Sequence, residues 1–217
     1  PKDAARLREE RFRSIIFDDL RDLSRVLSLR QFEVLVEILR ERGAGQLSYN
    51  GLAEDLKVSP PTVMQWVHWL ERLYVIFLVY PWTSATMRSL RKEPKFYFFD
   101  CSANLEPGSR LENLVACALL KHCDFLRDTA GRRMELRYFR DKEKREVDFI
   151  LLENKKPLCL LEVKTGDGNL SPALVYLSHK HPVARAVQLV HHLDREKLLD
   201  GCRITFLDTW LAGELLK

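Results

Sequence analysis

The sequence lacks several features that would place it in a specialised class of protein. No apolar run approaches the ~18 residues that a transmembrane helix needs, and the N-terminus is too polar and charged for a secretory signal peptide. The phosphate-binding pattern GxxxxGK(S/T) is absent from all 217 residues. We therefore expect neither a membrane span nor a leader nor an ATP site in this sequence.

Cysteine and histidine are too few and too scattered to build a disulfide framework or a zinc site. The five cysteines are odd in number, none forms a CxxC pair, and several lie within apolar runs. The six histidines have no partners at the spacing that zinc binding requires. We expect reduced cysteines in the core of a cytoplasmic protein.

Neither sign of charge dominates the composition. Lys and Arg number 35 and Asp and Glu 31, which gives a net charge of +4. This mild basicity permits nucleic-acid binding but does not require it. Hydrophobic residues make up 46% of the chain, which is typical of a globular protein of one large or two small domains. The sequence begins at Pro1 and its first methionine is Met64, so we expect a piece of a longer protein.

Residues 146–164 contain two apolar segments that are separated by a short polar one. VDFILLE and PLCLLEV have strand length and flank the polar NKK, which predicts a β-hairpin with its loop centred on Lys155. Side-chain alternation puts Ile150, Leu152, Leu158 and Leu160 on one face. The other face carries Val147, Phe149, Leu151, Cys159, Leu161 and Val163. Both faces are apolar, so we expect a central, covered strand pair.

Charged residues gather at the open end of this hairpin. The same register places Asp148 opposite Glu162 and Glu146 opposite Lys164. Asp148, Glu162 and Lys164 then share one end of one sheet face. Opposed carboxylates beside a core are destabilising unless a cation compensates them. Mg²⁺ takes oxygen ligands and often only one or two carboxylates, so we expect Mg²⁺ or Mn²⁺ on Asp148 and Glu162.

These residues resemble the PD-(D/E)xK pattern of restriction-endonuclease-like nucleases. The matching positions are Asp148 and the later Glu162-Val163-Lys164, although Glu146-Val147 precede Asp148 where the pattern has a proline. The resemblance implies that Asp148 and Glu162 bind Mg²⁺ and that Lys164 helps to activate the attacking water. It also implies a catalytic glutamate from the preceding helix, for which the candidate is Glu112 in GSRLENLVACALL.

The residues alone leave a simpler interpretation open. Lys164 could pair with Glu146 across the strands while Asp148 accepts a hydrogen bond from a loop N–H. A nuclease-like fold could also carry these residues without any activity. Both alternatives would make the charged end of the hairpin a structural feature.

Residues 48–99 have the spacing of a helix-turn-helix motif. The short segment LAEDL is followed by a turn at Lys57–Pro60 and by the longer helix PPTVMQWVHWLERL, which Ser59 caps. The strand-like runs YVIFLVYPW and FYFFD then flank a basic loop. Two such helices and a following hairpin indicate a winged helix, whose second helix enters the DNA major groove.

A DNA-binding winged helix would use side chains from that second helix and from the wing. From the helix we expect base contacts by Thr62 and Gln65, alongside exposed Ser59, His68 and Trp69. We expect phosphate contacts from Arg88, Arg91, Lys92 and Lys95 in the wing, and from Arg140 later in the chain. The alternative is a protein-binding module, because the helix has no Arg or Lys before Arg72. Its two tryptophans, Trp66 and Trp69, indicate packing against another domain.

The element order predicts an α+β protein of two domains. Helical periodicity over residues 4–42 and the winged helix form the first domain, residues 1–95. Within residues 96–217 we expect a strand, a helix, three strands, a second helix and another strand. The strand CRITFLDTW and a short final helix then end the sequence. This second domain has the αβββαβ order of a restriction-endonuclease-like domain, with a mixed central sheet.

A longer resemblance links the two halves. LAEDLKVSPPTVMQWVHWLERLYVI, KFYFFD, GSRLENLVACALL, YFRDKEKREVDFILLE and LLEVK occur in this order in the C-terminal region of bacterial and archaeal AAA+-type ATPases, a domain of unknown function. The similarity runs from about residue 15 to residue 192. It implies a preceding P-loop ATPase domain as partner and an oligomer formed through it.

Two functions are therefore compatible with the sequence. The first is a DNA-associated module of such an ATPase with a Mg²⁺-dependent phosphodiesterase site. The second is a non-catalytic module of the same ATPase that binds nucleic acid or protein and couples this binding to the ATPase.

Overall fold

The fold is α+β, as the sequence predicts. A computed structural model describes residues 7, 10, 14, 29–82, 93–101, 106–166, 169–183 and 185–213. The helices of these residues are α1 Leu29–Arg42, α2 Tyr49–Leu56, α3 Pro60–Arg72, α4 Pro107–Ala130, α5 Pro172–Lys180 and α6 Leu207–Gly213. The strands are β1 Gly45–Gln46, β2 Ile76–Pro81, β3 Lys95–Phe98, β4 Met134–Arg140, β5 Glu146–Glu153, β6 Lys156–Lys164, β7 Arg185–Val190, β8 Lys197–Leu199 and β9 Cys202–Phe206. Of the segment before Leu29 with predicted helical periodicity, the structure describes only residues 7, 10 and 14, and these three are helical.

The strands within the described residues form one mixed sheet in the order β1-β3-β2-β4-β5-β6-β7-β9-β8. β4, β5 and β6 are an antiparallel meander, and β6, β7 and β9 are parallel. β2 pairs antiparallel with β3 and parallel with β4. The hairpin predicted as a wing and the strands of the predicted second domain therefore share one sheet. The predicted boundary at residue 95 falls on the first residue of β3.

Helices α2 and α3 begin where short polar side chains can cap them. Ser48 Oγ accepts from the Gly51 N–H, and Ser59 Oγ accepts from the Thr62 N–H. Between the helices Lys57 has φ 55°, the left-handed conformation that ends α2. The caps and this residue produce the tight turn between the two helices that the spacing predicts.

The tryptophans of α3 pack within the first half of the chain. Trp66 and Trp69 lie against Phe32 of α1, with ring centroids 6.0 and 6.5 Å from the phenyl ring. Trp66 is buried and Trp69 is half-buried. The prediction of an exposed Trp69 is therefore wrong, because α1 covers that side of the helix. Nor do the two tryptophans need another domain to bury them.

Helices cover both faces of the sheet around β5 and β6. On one face α4 contributes Val115 and Leu119 to a cluster with Phe149 and Leu161. On the other face α5 contributes Leu174 and Leu177 to a cluster with Val147, Ile150 and Leu160. The prediction of a central strand pair with two apolar faces is confirmed.

Two residues of the hairpin lie on the face opposite to the predicted one. Val147 belongs to the cluster under α5, and Leu158 packs against the cluster under α4. The register shifts beside each of them. Arg137 pairs with Ile150 and Phe139 with Val147, so Asp148 and Phe149 together oppose a single residue of β4. A second shift at Leu151–Leu152 leaves Leu158 as the additional residue of β6.

The end of the described chain also departs from prediction. CRITFLDTW is a strand only as far as Phe206, because Leu207 and Trp210 are buried at helical spacing in α6. Strands β1 and β8 are not predicted by the sequence. All five cysteines carry free thiols. In the part of the chain that the structure describes, every helix is too short or too polar to cross a membrane.

Candidate active site

The hairpin of β5 and β6 brings the two predicted metal ligands together. Phe149 pairs with Leu161 and Ile150 with Leu160, which is the predicted register. One step further along, Asp148 Oδ2 accepts a hydrogen bond of 3.0 Å from the Val163 N–H. Asp148 therefore lies beside Glu162, as predicted.

The turn of this hairpin differs from the predicted three-residue loop. Asn154 and Lys155 form a two-residue turn with φ 50° and 66°. Positive φ at both central positions is the geometry that matches the twist of two antiparallel strands. The bulge at Leu158 takes up the additional residue, so the register at the charged end remains as predicted.

A buried lysine that the sequence assigns to the wing lies at the centre of the charged cluster. Lys95 Nζ is 2.6 Å from Glu146 Oε1, 2.9 Å from Glu112 Oε1 and 3.3 Å from Asp148 Oδ1. The Lys95 side chain is only 5% exposed. The prediction that Lys95 contacts phosphate from the wing is wrong, because its ammonium donates to three carboxylates inside the protein.

Helix α4 is fixed against β3 next to this lysine. The Asn113 side chain accepts from the Phe98 N–H at 2.7 Å and donates to the Phe98 carbonyl at 2.9 Å. The Tyr97 hydroxyl donates to Glu112 Oε1 at 2.7 Å. These three hydrogen bonds hold Glu112 over the sheet and next to Lys95.

The pKa values of this cluster reflect burial among like charges. Burial alone would lower the pKa of Lys95, but the three carboxylates outweigh it and raise that pKa above its ordinary range. Burial and the charge of Asp148 raise the pKa of Glu112, against the opposing effects of Lys95 and Tyr97. Lys95 therefore remains an ammonium over the whole physiological pH range.

Glu162 and Lys164 form a second pair beside the cluster. Lys164 Nζ lies 2.6 Å from Glu162 Oε1, and the two side chains are 42% and 6% exposed. Burial, followed by the charge of Asp148, raises the pKa of Glu162 to about 7. The pKa of Lys164 is also raised, because the Glu162 carboxylate outweighs the effect of burial.

Glu162 keeps one oxygen without a partner. Oε2 is buried and makes no hydrogen bond to any residue that the structure describes. A buried carboxylate oxygen left in this state costs free energy unless a donor or a cation satisfies it. Among the buried side-chain atoms of this cluster that the structure describes, it is the only acceptor without a partner.

The simpler cross-strand pairing is not the one observed. Lys164 pairs with Glu162 on its own strand, whereas Glu146 pairs with Lys95 and Arg140. Asp148 does accept a backbone N–H, but it comes from strand β6 and not from a loop. The alternative in which Lys164 pairs with Glu146 is not observed, because Lys95 and Arg140 occupy the two oxygens of Glu146.

The predicted DNA contacts lie in different parts of the chain. Gln65 is exposed on α3, while Thr62 is half-buried with its hydroxyl 2.8 Å from Ser59 Oγ. Arg140 Nη1 donates to Gln46 Oε1 at 2.6 Å and lies 3.3 Å from Glu146. Arg88, Arg91 and Lys92 lie outside the described residues.

The residues of the cluster fit one hard divalent cation. Four carboxylates (Glu112, Glu146, Asp148 and Glu162) meet three cationic side chains (Lys95, Arg140 and Lys164), so one negative charge is left over when all are ionised. The free oxygen belongs to a carboxylate, which Mg²⁺ and Mn²⁺ prefer. Within the described ranges, no group of three or more His, Cys, Asp or Glu is arranged to hold a metal ion by itself. Water would have to complete the ligand set, which is usual for Mg²⁺.

Sequence reasoning missed Lys95, although the sequence contains a signal for it. Lys95 opens the buried strand KFYF and shares a face with Tyr97. A charged residue at the start of a buried strand needs an opposite charge in the core. The prediction failed because Lys95 follows the basic residues Arg88 to Lys92 and was grouped with them.

Two protein-family models match the chain, and each is described as a domain of unknown function. DUF8612 matches residues 1–104 and DUF4143 matches residues 107–209. Searches of curated proteins and of solved structures gave no match. Lys95 lies in the first matched segment, while its three carboxylate partners lie in the second. The charged cluster is thus built from both halves of the chain.

Proposed function

We propose that Asp148, Glu162 and Lys164 form a Mg²⁺- or Mn²⁺-dependent phosphodiesterase site that acts on DNA. The observation that carries this proposal is Glu162 Oε2, a buried carboxylate oxygen without a partner among the described residues. It lies beside a second carboxylate, and an ammonium that solvent can reach is 2.6 Å from the other oxygen of Glu162. A carboxylate pair with an adjacent lysine is the residue set that metal-assisted phosphodiester hydrolysis uses.

Each side chain has a distinct role in this proposal. Asp148 and Glu162 would hold the cation, which when bound lowers the pKa of water and stabilises charge on the phosphoryl oxygens. Lys164 has a raised pKa and stays an ammonium at neutral pH, so it donates hydrogen bonds and does not accept a proton. It would orient the attacking water or the scissile phosphate. Glu112 would act through Lys95 and Asp148, since its Oε1 is bonded to Lys95.

The element order supports a restriction-endonuclease-like assignment for the second half of the chain. α4, β4, β5, β6, α5 and β7 follow one another in the αβββαβ order, and the carboxylates lie on the central hairpin. α2, α3 and the β2–β3 hairpin have the order of a winged helix. In our proposal Gln65 and Thr62 of α3 contact bases, while Arg91, Lys92 and Arg140 contact phosphates.

We also propose that the natural partner is an AAA+-type P-loop ATPase domain encoded in the same gene, with oligomers formed through it in the cytoplasm. The resemblance of five ordered segments supports this proposal. The test is to sequence the gene upstream of the codon for Pro1. A GxxxxGK(S/T) motif there supports the proposal, and an upstream reading frame without one overturns it.

A second candidate function is favoured by Lys95. Its ammonium already neutralises part of the charge of Asp148, which weakens the need for a metal. In this alternative the cluster only stabilises the contact between the two halves of the chain, and the protein binds DNA or another protein without cleaving DNA.

Nicking of supercoiled plasmid in Mg²⁺ or Mn²⁺ distinguishes the two functions. We expect the wild type to nick the plasmid and Glu162→Ala not to nick it. The control Glu143→Ala alters an exposed glutamate and should nick the plasmid at the wild-type rate. Equal nicking by wild type and Glu162→Ala would identify a contaminant. No nicking by a folded wild type would favour the non-catalytic module.

A further inference from the structure

Two cysteine side chains meet where the end of β3 approaches α4. Asn113 Nδ2 donates to Cys101 Sγ at 3.7 Å and to Cys117 Sγ at 3.8 Å. Cys101 follows β3 in the chain, whereas Cys117 lies one turn after Asn113 on α4. Both are free thiols, and their sulfur atoms contact the same amide nitrogen. The fold therefore brings together two oxidisable groups from separate elements.

Both thiols can be reached from solvent. Cys101 and Cys117 are half-buried, whereas Cys123, Cys159 and Cys202 are buried. Cys117 also lines an open cavity of about 390 Å³, whose other lining residues are Phe99, Leu120, Lys121, Asp124 and Phe125. A small oxidant fits into a cavity of this size. The pair thus differs from the buried cysteines in both proximity and access.

The surroundings of Cys117 keep it protonated. Burial, followed by the hydrogen bond with Cys101 and the charge of Cys101, raises the pKa of Cys117 above its ordinary range. Cys117 therefore remains a thiol at neutral pH. Since a thiolate and not a thiol attacks an oxidant, we expect Cys101 to react first and Cys117 to react second.

We infer that Cys101 and Cys117 are a modification site, at which hydrogen peroxide converts the two thiols into a disulfide. The Cys101 thiolate attacks one peroxide oxygen and the O–O bond breaks. Cys101 becomes a sulfenic acid, while hydroxide leaves and takes up a proton to form water. The Cys117 sulfur then attacks the Cys101 sulfur, the S–O bond breaks, and the hydroxyl group leaves with the Cys117 proton as water. The peroxide gains two electrons, which the two sulfurs supply.

The disulfide would join the segment after β3 to α4, the elements that carry Lys95 and Glu112. In a reducing compartment such a bridge is transient and redox-sensing, because cellular thiols reduce it again. This chemistry is independent of the proposed function, since it needs neither a metal ion nor DNA.

Mass spectrometry of the whole chain tests this chemistry. The folded wild type is treated with hydrogen peroxide, its remaining thiols are alkylated in denaturant, and the digest is searched for linked peptides. Cys101→Ser, Cys117→Ser and the matched control Cys123→Ala, which alters a buried cysteine of α4, are treated in the same way. Dimedone in a parallel sample traps sulfenic acids. The wild type in urea shows which bridges form without the fold.

We expect the folded wild type and Cys123→Ala to form the disulfide between Cys101 and Cys117, which dithiothreitol reverses, and both serine variants to lose it. Cys117→Ser should carry a dimedone adduct on Cys101, whereas Cys101→Ser should carry none on Cys117. In urea the wild type should lose its preference for this pair.

Two results would overturn the inference. The first is a folded wild type that forms no disulfide between Cys101 and Cys117, or forms it no faster than in urea. The second is a dimedone adduct on Cys117 of Cys101→Ser together with none on Cys101 of Cys117→Ser. The comparison of folded and urea-treated wild type decides the matter even if a serine variant fails to fold.

Discussion

Lys95 Nζ and Glu112 Oε1 are 2.9 Å apart, although one residue opens β3 and the other lies in the second turn of α4. This contact joins the hairpin of the first half of the chain to the helix that covers the sheet of the second half. A change in the position of β3 must therefore change the charge next to Asp148. The ammonium, together with the bonds of Tyr97 to Glu112 and of Asn113 to Phe98, therefore places β3 in direct contact with the candidate site.

Metal binding should stabilise the folded protein, because only the folded chain brings Asp148 and Glu162 together. With free Mn²⁺ roughly a hundredfold above Kd, mass action adds about 2.7 kcal/mol to the free energy of unfolding. Asp148→Asn should abolish this increase, while Asp194→Asn, which alters an exposed residue, should retain it. Thermal melting with Mn²⁺ and with EDTA measures both. A melting temperature of the wild type that does not respond to Mn²⁺ would contradict the site.

The contribution of Glu162 to the stability of the metal-free protein should fall as the pH rises between about 4.5 and 7. Its pKa is raised from 4.5 to about 7 in the folded state. Folded Glu162 therefore keeps a proton that the unfolded chain has lost, and this advantage disappears above the folded pKa. Urea unfolding in EDTA across this range measures the effect. Glu162→Gln should flatten the profile, and a variant profile as steep as that of the wild type would refute the assignment.

The alternation of apolar residues predicted most of the sheet but not its irregularities. The three consecutive strands predicted after the helix are β4, β5 and β6, and the charged end of the β5–β6 hairpin has the predicted register. Val147 and Leu158 were assigned to the wrong faces, because each lies beside a bulge. A bulge is chosen by tertiary packing, and a strict period of two cannot reveal it.

One set of contacts in the candidate site could likewise not be predicted from the sequence. Glu112, Asp148, Glu162 and Lys164 were predicted from a motif, and the structure places them in one cluster with Lys95. The role of Lys95 depends on three acids that are 17, 51 and 53 residues later in the chain. The buried strand KFYF signals that Lys95 needs opposite charge, but no local pattern identifies the three acids, because the fold brings them to the lysine.

Asn113 should be one of the most sensitive positions for stability. Its side chain satisfies both the N–H and the carbonyl of Phe98 in a buried place. Asn113→Leu would leave the buried Phe98 N–H unpaired, and the Phe98 carbonyl would keep only the weak Cys117 thiol donor at 3.2 Å. We therefore expect a loss of about 1–3 kcal/mol. Asn50→Ala, on the exposed side of α2, should change stability by less than about 1 kcal/mol. Denaturant unfolding compares them, and a loss as small as that of Asn50→Ala would contradict the docking role.

DNA binding through α3 should depend on Gln65 and Thr62. Replacing both by alanine removes side chains that read bases, so binding to a preferred duplex should weaken by about 1–3 kcal/mol while binding to unrelated duplexes changes little. Replacing Arg91 and Lys92 by alanine should weaken all duplexes alike and flatten the salt dependence.

Fluorescence anisotropy over a range of salt concentrations measures these effects. Circular dichroism is the folding control for Thr62→Ala, because the Thr62 hydroxyl contacts Ser59. If the wild type binds no duplex at about 50 mM salt, the helix belongs to a protein-binding module.

Lys164 should separate metal binding from cleavage. Its ammonium lies beside Glu162 but is no metal ligand, so Lys164→Ala should still bind Mn²⁺. Loss of a cationic donor that orients the reacting water or the phosphate should lower plasmid nicking by roughly 10²–10³-fold. Glu162→Ala should lose both metal binding and nicking.

Lys156→Ala, which alters an exposed lysine at the other end of β6, is the matched control and should nick like the wild type. In the simpler interpretation, in which Lys164 only balances charge, its loss would cost about 0.2–1 kcal/mol of stability, with no cleavage to lose. Nicking by Lys164→Ala at the wild-type rate would therefore remove Lys164 from the catalytic site.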